Sequence, residues 1–129
     1  MNKKIATRWV KALRSGKYKQ GTDYLCKTED GHTKHCCLGV LTDMYQQECK
    51  RNKKKALSVK IISGSHPSYT VFTYNKEDKV LPVAVKKWAG MKNRSGRIET
   101  ENECLAFMND EGDSFKKIAN FIEKNYDKL

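Results

Sequence analysis

The apolar residues of this chain change rhythm several times along its 129 residues, from the 3.6-residue period of a helix to the alternation of a strand and back. Residues 3–14 set the first period. Ile5, Trp9, Ala12 and Leu13 share one face at helical spacing, with Lys4, Thr7, Lys11 and Arg14 opposite. Ser15-Gly16 stops this helix, because glycine takes the left-handed C-terminal conformation without a Cβ clash. Lys17 to Gly21 follows as a loop or a short extended piece. Segments 23–27 and 33–37 suit two strands about Glu29-Asp30-Gly31, where Asp-Gly is a strong hairpin signal. Cys37 to Cys49 reads as a second helix with Leu38, Leu41, Met44 and Tyr45 inward; Gly39 either weakens it or marks a close packing contact.

The second half continues in the same way. Lys50 to Lys55 reads as an exposed loop, and Leu57 to Ile62 with Tyr69 to Tyr74 as a hairpin across Gly64-Ser65-His66-Pro67. Pro82 suits the first turn of a helix that runs to Ala89 and stops at Gly90. Residues 91–99 read as a polar linker. Thr100-Glu101-Asn102-Glu103 has the form of a capping box, opening a helix that contains Cys104, Leu105 and Met108 and ends near Gly112. Asp113 or Ser114 then caps a last helix whose face is Phe115, Ile118, Ala119, Ile122 and Tyr126. The expectation is a single compact α+β domain over residues 1–129, with about five helices and one or two β-hairpins forming a small antiparallel sheet. That length is enough to close one hydrophobic core.

Charge narrows the function classes. The net charge is +11. Residues 1–60 carry 15 Lys/Arg against 5 Asp/Glu, whereas residues 61–129 carry 11 against 10. The first 22 residues hold seven basic groups and no acid. A one-sided field of this kind favours an anionic partner and speeds its arrival. No apolar run approaches the ~20 residues of a membrane helix, and the opening residues lack the apolar core of a secretory signal. The five cysteines, an odd number, suit free thiols in a reducing cytosol.

Catalytic and metal chemistry find little support in the motifs. Cys26, His32, His35, Cys36 and Cys37 crowd one hairpin, without the second ligand pair that structural zinc takes. Alternating strand residues cannot all face one ion, so buried thiols and exposed histidines are the better reading. Cys36 has His35 beside it and His66 elsewhere, but no third group orients a base, so a cysteine nucleophile is not expected. Gly16, Gly21, Gly31 and Gly39 lack the spacing of a phosphate loop. Asp110, Glu111 and Asp113 read as caps or a solvated turn. The two helices within 101–126 have helix-turn-helix spacing, yet residues 99–113 are acidic where phosphate contacts need cations. No cofactor and no metal is expected.

Arg14-Ser15-Gly16-Lys17-Tyr18-Lys19-Gln20 differs in kind. It sets a guanidinium fork, ammonium groups, an aromatic face and an amide within seven residues, a repertoire suited to phosphate and base recognition.

Four blocks of the chain resemble small accessory proteins encoded by tailed phages. They are Trp9 to Gln20 with its Ala12-Leu13-Arg14-Ser15-Gly16-Lys17-Tyr18-Lys19-Gln20 core; Cys36-Cys37-Leu38-Gly39-Val40-Leu41; Leu81-Pro82 through Val85 to Trp88-Ala89-Gly90; and Leu105 through Met108-Asn109-Asp110 and Ser114-Phe115 to Ile122-Glu123. By analogy with phage proteins that counter host defence, the resemblance implies sequestration, without cleavage, of an anionic nucleotide-type immune signal. A cyclic ADP-ribose derivative or a cyclic oligonucleotide would serve, in the cytoplasm of the bacterial host. It further implies Arg14, Lys17, Tyr18 and Gln20 as pocket residues, with Asn109 and Asp110 facing base or ribose groups. Nucleic-acid binding through the basic half, including Lys50 to Lys55, and hydrolysis of such a signal are the alternatives. A homo-oligomer is compatible with either, and no membrane partner is expected.

Overall fold

In the computed structural model, which describes residues 1–63 and 68–129, the elements follow the order α1 (Lys3–Arg14), β1 (Lys19–Gln20), β2 (Cys26–Glu29), β3 (His32–His35), α2 (Cys37–Arg51), β4 (Val59–Ser63), β5 (Tyr69–Tyr74), α3 (Val83–Ala89), β6 (Arg97–Ile98), β7 (Glu103–Cys104), α4 (Leu105–Asp110) and α5 (Phe115–Asn125). The α+β class and the five helices are those expected. The turn expected at Gly64-Ser65-His66-Pro67 lies outside the described residues, as does His66.

Helix α1 forms as its period predicts. The Asn2 side chain accepts from the Ile5 N–H at 3.1 Å, satisfying one of the free donors at the helix start. Ile5, Ala6, Trp9, Val10 and Leu13 are buried, and the Trp9 indole donates to the Cys37 carbonyl at 3.0 Å. Helix α5 buries Phe115, Ile118, Ala119 and Ile122 along one stripe, with Ser114 as its cap. These two amphipathic helices pack together and, with α2, form the layer that covers one face of the sheet.

The sheet is larger than the sequence suggests and is not wholly antiparallel. Its five strands run in the order β1-β3-β2-β5-β4. The β2–β3 hairpin turns on Asp30 and Gly31, both at positive φ, as a two-residue connection of this twist requires. Strand β1 pairs parallel to β3, Lys19 beside Lys34 and Gln20 beside His35. The extended piece after Gly16 is therefore an edge strand. A separate two-stranded sheet joins β6 to β7.

Three further expectations need correction. The capping box is not formed, because residues 99–101 make a 3-10 turn, Asn102 is left-handed at φ 52°, and Glu103 pairs with Ile98 in β7. Helix α4 starts at Leu105, four residues later than a Thr100 cap places it, with Cys104 outside the helix and no side-chain cap. Residues 91–99 are more than a polar linker, since Met91 and Ile98 both reach the core. Cys36 does not continue the strand; its thiol caps α2 by accepting from the Gly39 N–H at 3.3 Å.

Gly39 marks a close approach. A Cβ there would lie 1.7 Å from the Leu25 carbonyl oxygen and 2.6 Å from its carbon, so only glycine lets α2 rest on the backbone just before β2. No helix among the described residues is long and apolar enough to cross a membrane. Gly39→Ala is expected to lower the unfolding free energy by about 3 kcal/mol or to abolish folding, because backbone cannot yield as a side chain does; urea denaturation followed by circular dichroism measures it.

Candidate functional site

The turn at Ser15 and Gly16 (φ 74°) carries the chain off α1 and lays residues 17–20 across the layer toward α2 and α5. Tyr18 is thereby half-buried against α2. Its hydroxyl donates to Asp43 Oδ2 at 2.5 Å, and Gln47 Nε2 donates to the same carboxylate at 2.6 Å. Burial, then the Asp43 hydrogen bond, hold the phenol well above its usual pKa. The ring meets His35 edge-on with centroids 5.2 Å apart.

Between α1 and α2 runs a groove of about 780 Å³ lined by Arg8, Lys11, Lys17 and Arg51, with Tyr18, Asp43 and Gln47 among its polar walls. Arg8 is already engaged, 2.8 Å from the Glu48 carboxylate. Among the described residues, Lys11, Lys17 and Arg51 have no ion-pair partner, and all three are exposed. The groove thus presents free cations on three sides of a fixed aromatic–carboxylate–amide cluster.

Four of the expected site residues fall into two clefts that share Tyr18: Arg14, Tyr18 and Gln20 line one of about 580 Å³ against Ser114 and Phe115 at the start of α5. Lys17 and Tyr18 line the groove. Arg14 turns the other way, toward α5: its guanidinium donates to Glu123 at 2.9 and 3.3 Å and to Asn120 at 2.6 Å. No acid neighbours Arg14 in sequence, but folding brings one from 109 positions away. The Glu123 pairing raises the Arg14 pKa and lowers that of the carboxyl.

Gln20, Asn109 and Asp110 do not line this groove. Asn109 is 0% exposed. Its oxygen accepts from the Cys37 N–H and from Gln20, and its amide donates to the Gly21 carbonyl and to Asp110. All its hydrogen-bonding capacity is used inside the protein. Gln20 also donates to the Asp113 carbonyl and accepts from the Phe115 N–H. Asp110 accepts from the Asp23 N–H at 2.9 Å and so ties down a turn.

Lys11, Asp43, Gln47 and Arg51 belong to the groove without having been singled out in the sequence. Lys11 was visible only as one cation of α1's polar face, and Arg51 was hidden in the Lys50–Lys55 run. Asp43 and Gln47 stand one helical turn apart on α2, a spacing common on any polar helix face.

The thiols supply no ready nucleophile. Burial pushes Cys26 up to about 11 and Cys36 up to about 12, and raises Cys37 well above its ordinary value. His35 is half-buried, not exposed as expected, and burial lowers its pKa against the opposing pull of Asp43. Among the described residues, no three His, Cys, Asp or Glu side chains gather as a metal site.

Residues 1–126 match the family described as a domain of unknown function, DUF8296. The chain belongs to that family. Its span takes in α1, α2 and α5, so both walls of the groove and the Asn109 cluster are family territory. No curated protein and no solved structure matches the chain.

Two outcomes follow for this DUF8296 protein. Asn109→Ala is expected to cost about 3 kcal/mol in urea unfolding, since it strands the Cys37 N–H, the Gly21 carbonyl and the Gln20 amide. Arg14→Ala, whose pairing is solvent-exposed, is expected to leave the urea midpoint nearly unchanged. Because folding lowers the His35 pKa, the unfolded chain binds that proton more readily. Stability is therefore expected to fall as the pH drops below about 6.5. The loss between pH 6.5 and 5 should shrink in His35→Gln.

Proposed function

We propose that this protein captures a phosphate-bearing, nucleotide-type anion in the α1–α2 groove and holds it without cleaving it. The observation that carries this reading is the convergence of Lys11, Lys17 and Arg51, none with an ion-pair partner among the described residues, around Tyr18, Asp43 and Gln47. Lysine and arginine at the rim supply charge for phosphate oxygens, and arginine adds a two-pronged donor. The Gln47 amide donates to Asp43 and to the Tyr18 hydroxyl, which leaves Asp43 Oδ1 and Gln47 Oε1 as acceptors for the N–H or O–H groups of a base or ribose. Tyr18 offers its ring edge and is locked by its hydroxyl, so it loses little freedom on binding.

Binding without turnover agrees with the Cys36 and Cys37 thiols being kept protonated by burial. The resemblance to tailed-phage accessory proteins supplies a setting for such a trap: sequestration, in the cytoplasm of a bacterial host, of a nucleotide immune signal. A cyclic ADP-ribose derivative and a cyclic oligonucleotide both carry the required phosphates and bases.

A second reading, nucleic-acid binding along the same ridge, is favoured by one observation. Lys50, Arg51, Lys53, Lys54 and Lys55 are all exposed, and Arg51 among them lines the groove. Salt separates the two. Affinity for a duplex or a single strand falls with a log–log slope near about −0.9 or −0.7 per phosphate contacted, whereas a small ligand meeting two or three cations responds far less.

Calorimetry against ADP-ribose derivatives and cyclic dinucleotides tests the proposal. The Lys17→Glu/Arg51→Glu variant is expected to lose at least about 10-fold in affinity, as charge-assisted bonds are lost, with an unchanged circular dichroism spectrum. Arg14→Ala, facing Glu123, is expected to change it far less. No heat from any of the panel, or recovery of cleaved ligand after heat denaturation, overturns the reading.

A further inference from the structure

Cys26 and Tyr74 belong to the core. Alternation along the strands therefore turns Lys27, Glu29, Val71, Tyr69, Lys60 and Ile62 to the opposite face of the sheet. Val71 is buried yet is no part of the main core cluster, consistent with that separate face. The same alternation sets Lys34 opposite to His35, the residue that touches Tyr18 beside the α1–α2 groove. The outer sheet face and the groove are thus on different sides of the protein.

This face carries an electrostatic conflict. Lys19, Lys34 and Lys27 stand side by side in register on β1, β3 and β2. Like charges directly opposite one another weaken a sheet. The one carboxylate in any of the five strands, Glu29, accepts from Lys27 at 3.0 Å and Lys34 at 3.4 Å, and the row keeps a net positive charge.

Beside the row lies an aromatic and apolar centre. The rings of Tyr24 and Tyr69 meet with centroids 5.9 Å apart. Lys79 Nζ lies 5.3 Å from the Tyr24 ring centroid and Lys27 Nζ 5.5 Å from that of Tyr69. Ile62 pairs with Val71 and is 49% exposed, an apolar side chain left at the surface next to the tyrosines. Lys19 and Lys34 flank this centre on one side, with Lys60 on the far strand. Five strands give a platform roughly 19 Å across from β1 to β4.

We infer that this outer face is a platform for single-stranded nucleic acid, with bases against Tyr24, Tyr69 and Ile62 and phosphates against Lys19, Lys34, Lys60 and Lys79. Flat rings and apolar surface bordered by cations suit unstacked bases on a charged backbone. A duplex keeps its bases inside and offers the rings nothing to stack on. A folded acidic surface would meet the lysines alone and gain nothing from the apolar surface of Ile62 or from the tyrosine rings. The inference is independent of the groove and of the function proposed for it.

Fluorescence anisotropy with a labelled 15-nucleotide oligo(dT) tests it. Wild-type protein is expected to bind the single strand at least about 10-fold more tightly than a duplex of equal length. Tyr24→Ala is expected to weaken single-strand binding about 10-fold and Tyr24→Phe to stay within about twofold, because stacking needs the ring and not the hydroxyl. The exposed pair Lys60→Glu/Lys79→Glu is expected to weaken it similarly and to flatten the salt slope, which keeps the test decisive should Tyr24→Ala fail to fold. Lys17→Glu/Arg51→Glu is expected to leave it unchanged, so failure here and failure of the groove proposal are read separately. Equal binding of duplex, equal competition by polyglutamate of matched charge, or no binding at low salt overturns the inference.

Discussion

The side-chain amide of Asn109 joins the end of β1 and the start of α2 to α4 at one buried point. It accepts from the N–H that opens α2 and from Gln20 of β1, and it donates to the Gly21 carbonyl. Gln20 passes the connection on to the first N–H of α5. A buried amide with an unmade hydrogen bond costs more than a made one gains. The network therefore tolerates only the arrangement in which every partner is present. Strand β1 has two residues and little apolar content of its own, so its place at the sheet edge rests on this amide pair. Lys17 and Tyr18, just upstream, reach the α2 wall because Gln20 and Gly21 are fixed.

Electrostatics then act on a scaffold already set by burial. The positive half of the chain does not stay evenly positive after folding. Arg8 finds Glu48, Arg14 finds Glu123, and Glu29 is shared by Lys27 and Lys34. The exposed pairs among them add little to stability, but all of them cancel charge locally and leave the remaining cations to define the field. Those cations fall on the α1–α2 ridge, along Lys50 to Lys55, and on the outer face of the sheet. A ligand arriving from solution meets a field concentrated on particular surfaces, not spread over the whole molecule.

Where a segment buries a whole stripe, its residues announced it. Helices α1 and α5 were readable because Trp9, Leu13, Ile118 and Ile122 recur at the helical period and all enter the core. The Asp30-Gly31 turn was readable because two consecutive positive-φ residues are what a tight hairpin demands. The capping box failed for the opposite reason. Thr100 and Glu103 have the right spacing, but Gly96 must pass against Leu105, where a Cβ would meet that side chain at 2.7 Å. The short β6–β7 ladder that follows overrides the local signal. Met91 and Ile98 were missed because two isolated apolar residues in a polar stretch carry no period.

The candidate site shows the same division. Its basic, aromatic and amide content was visible in Arg14 to Gln20, and sequence alone determined the net charge of +11 and its concentration in residues 1–60, neither of which depends on the fold. Sequence also determined the main helices, whose amphipathic stripes are local and strong. Only the tertiary structure decided which cations remain unpaired. Arg14 is claimed by a carboxylate 109 residues away, while Arg51 is set free beside Lys11 and Lys17. It likewise decided that Asn109 holds the structure together instead of lining the groove, and that β1 joins the sheet in parallel. Such outcomes turn on distances between segments remote in the chain, and a linear pattern of residues carries no record of those distances.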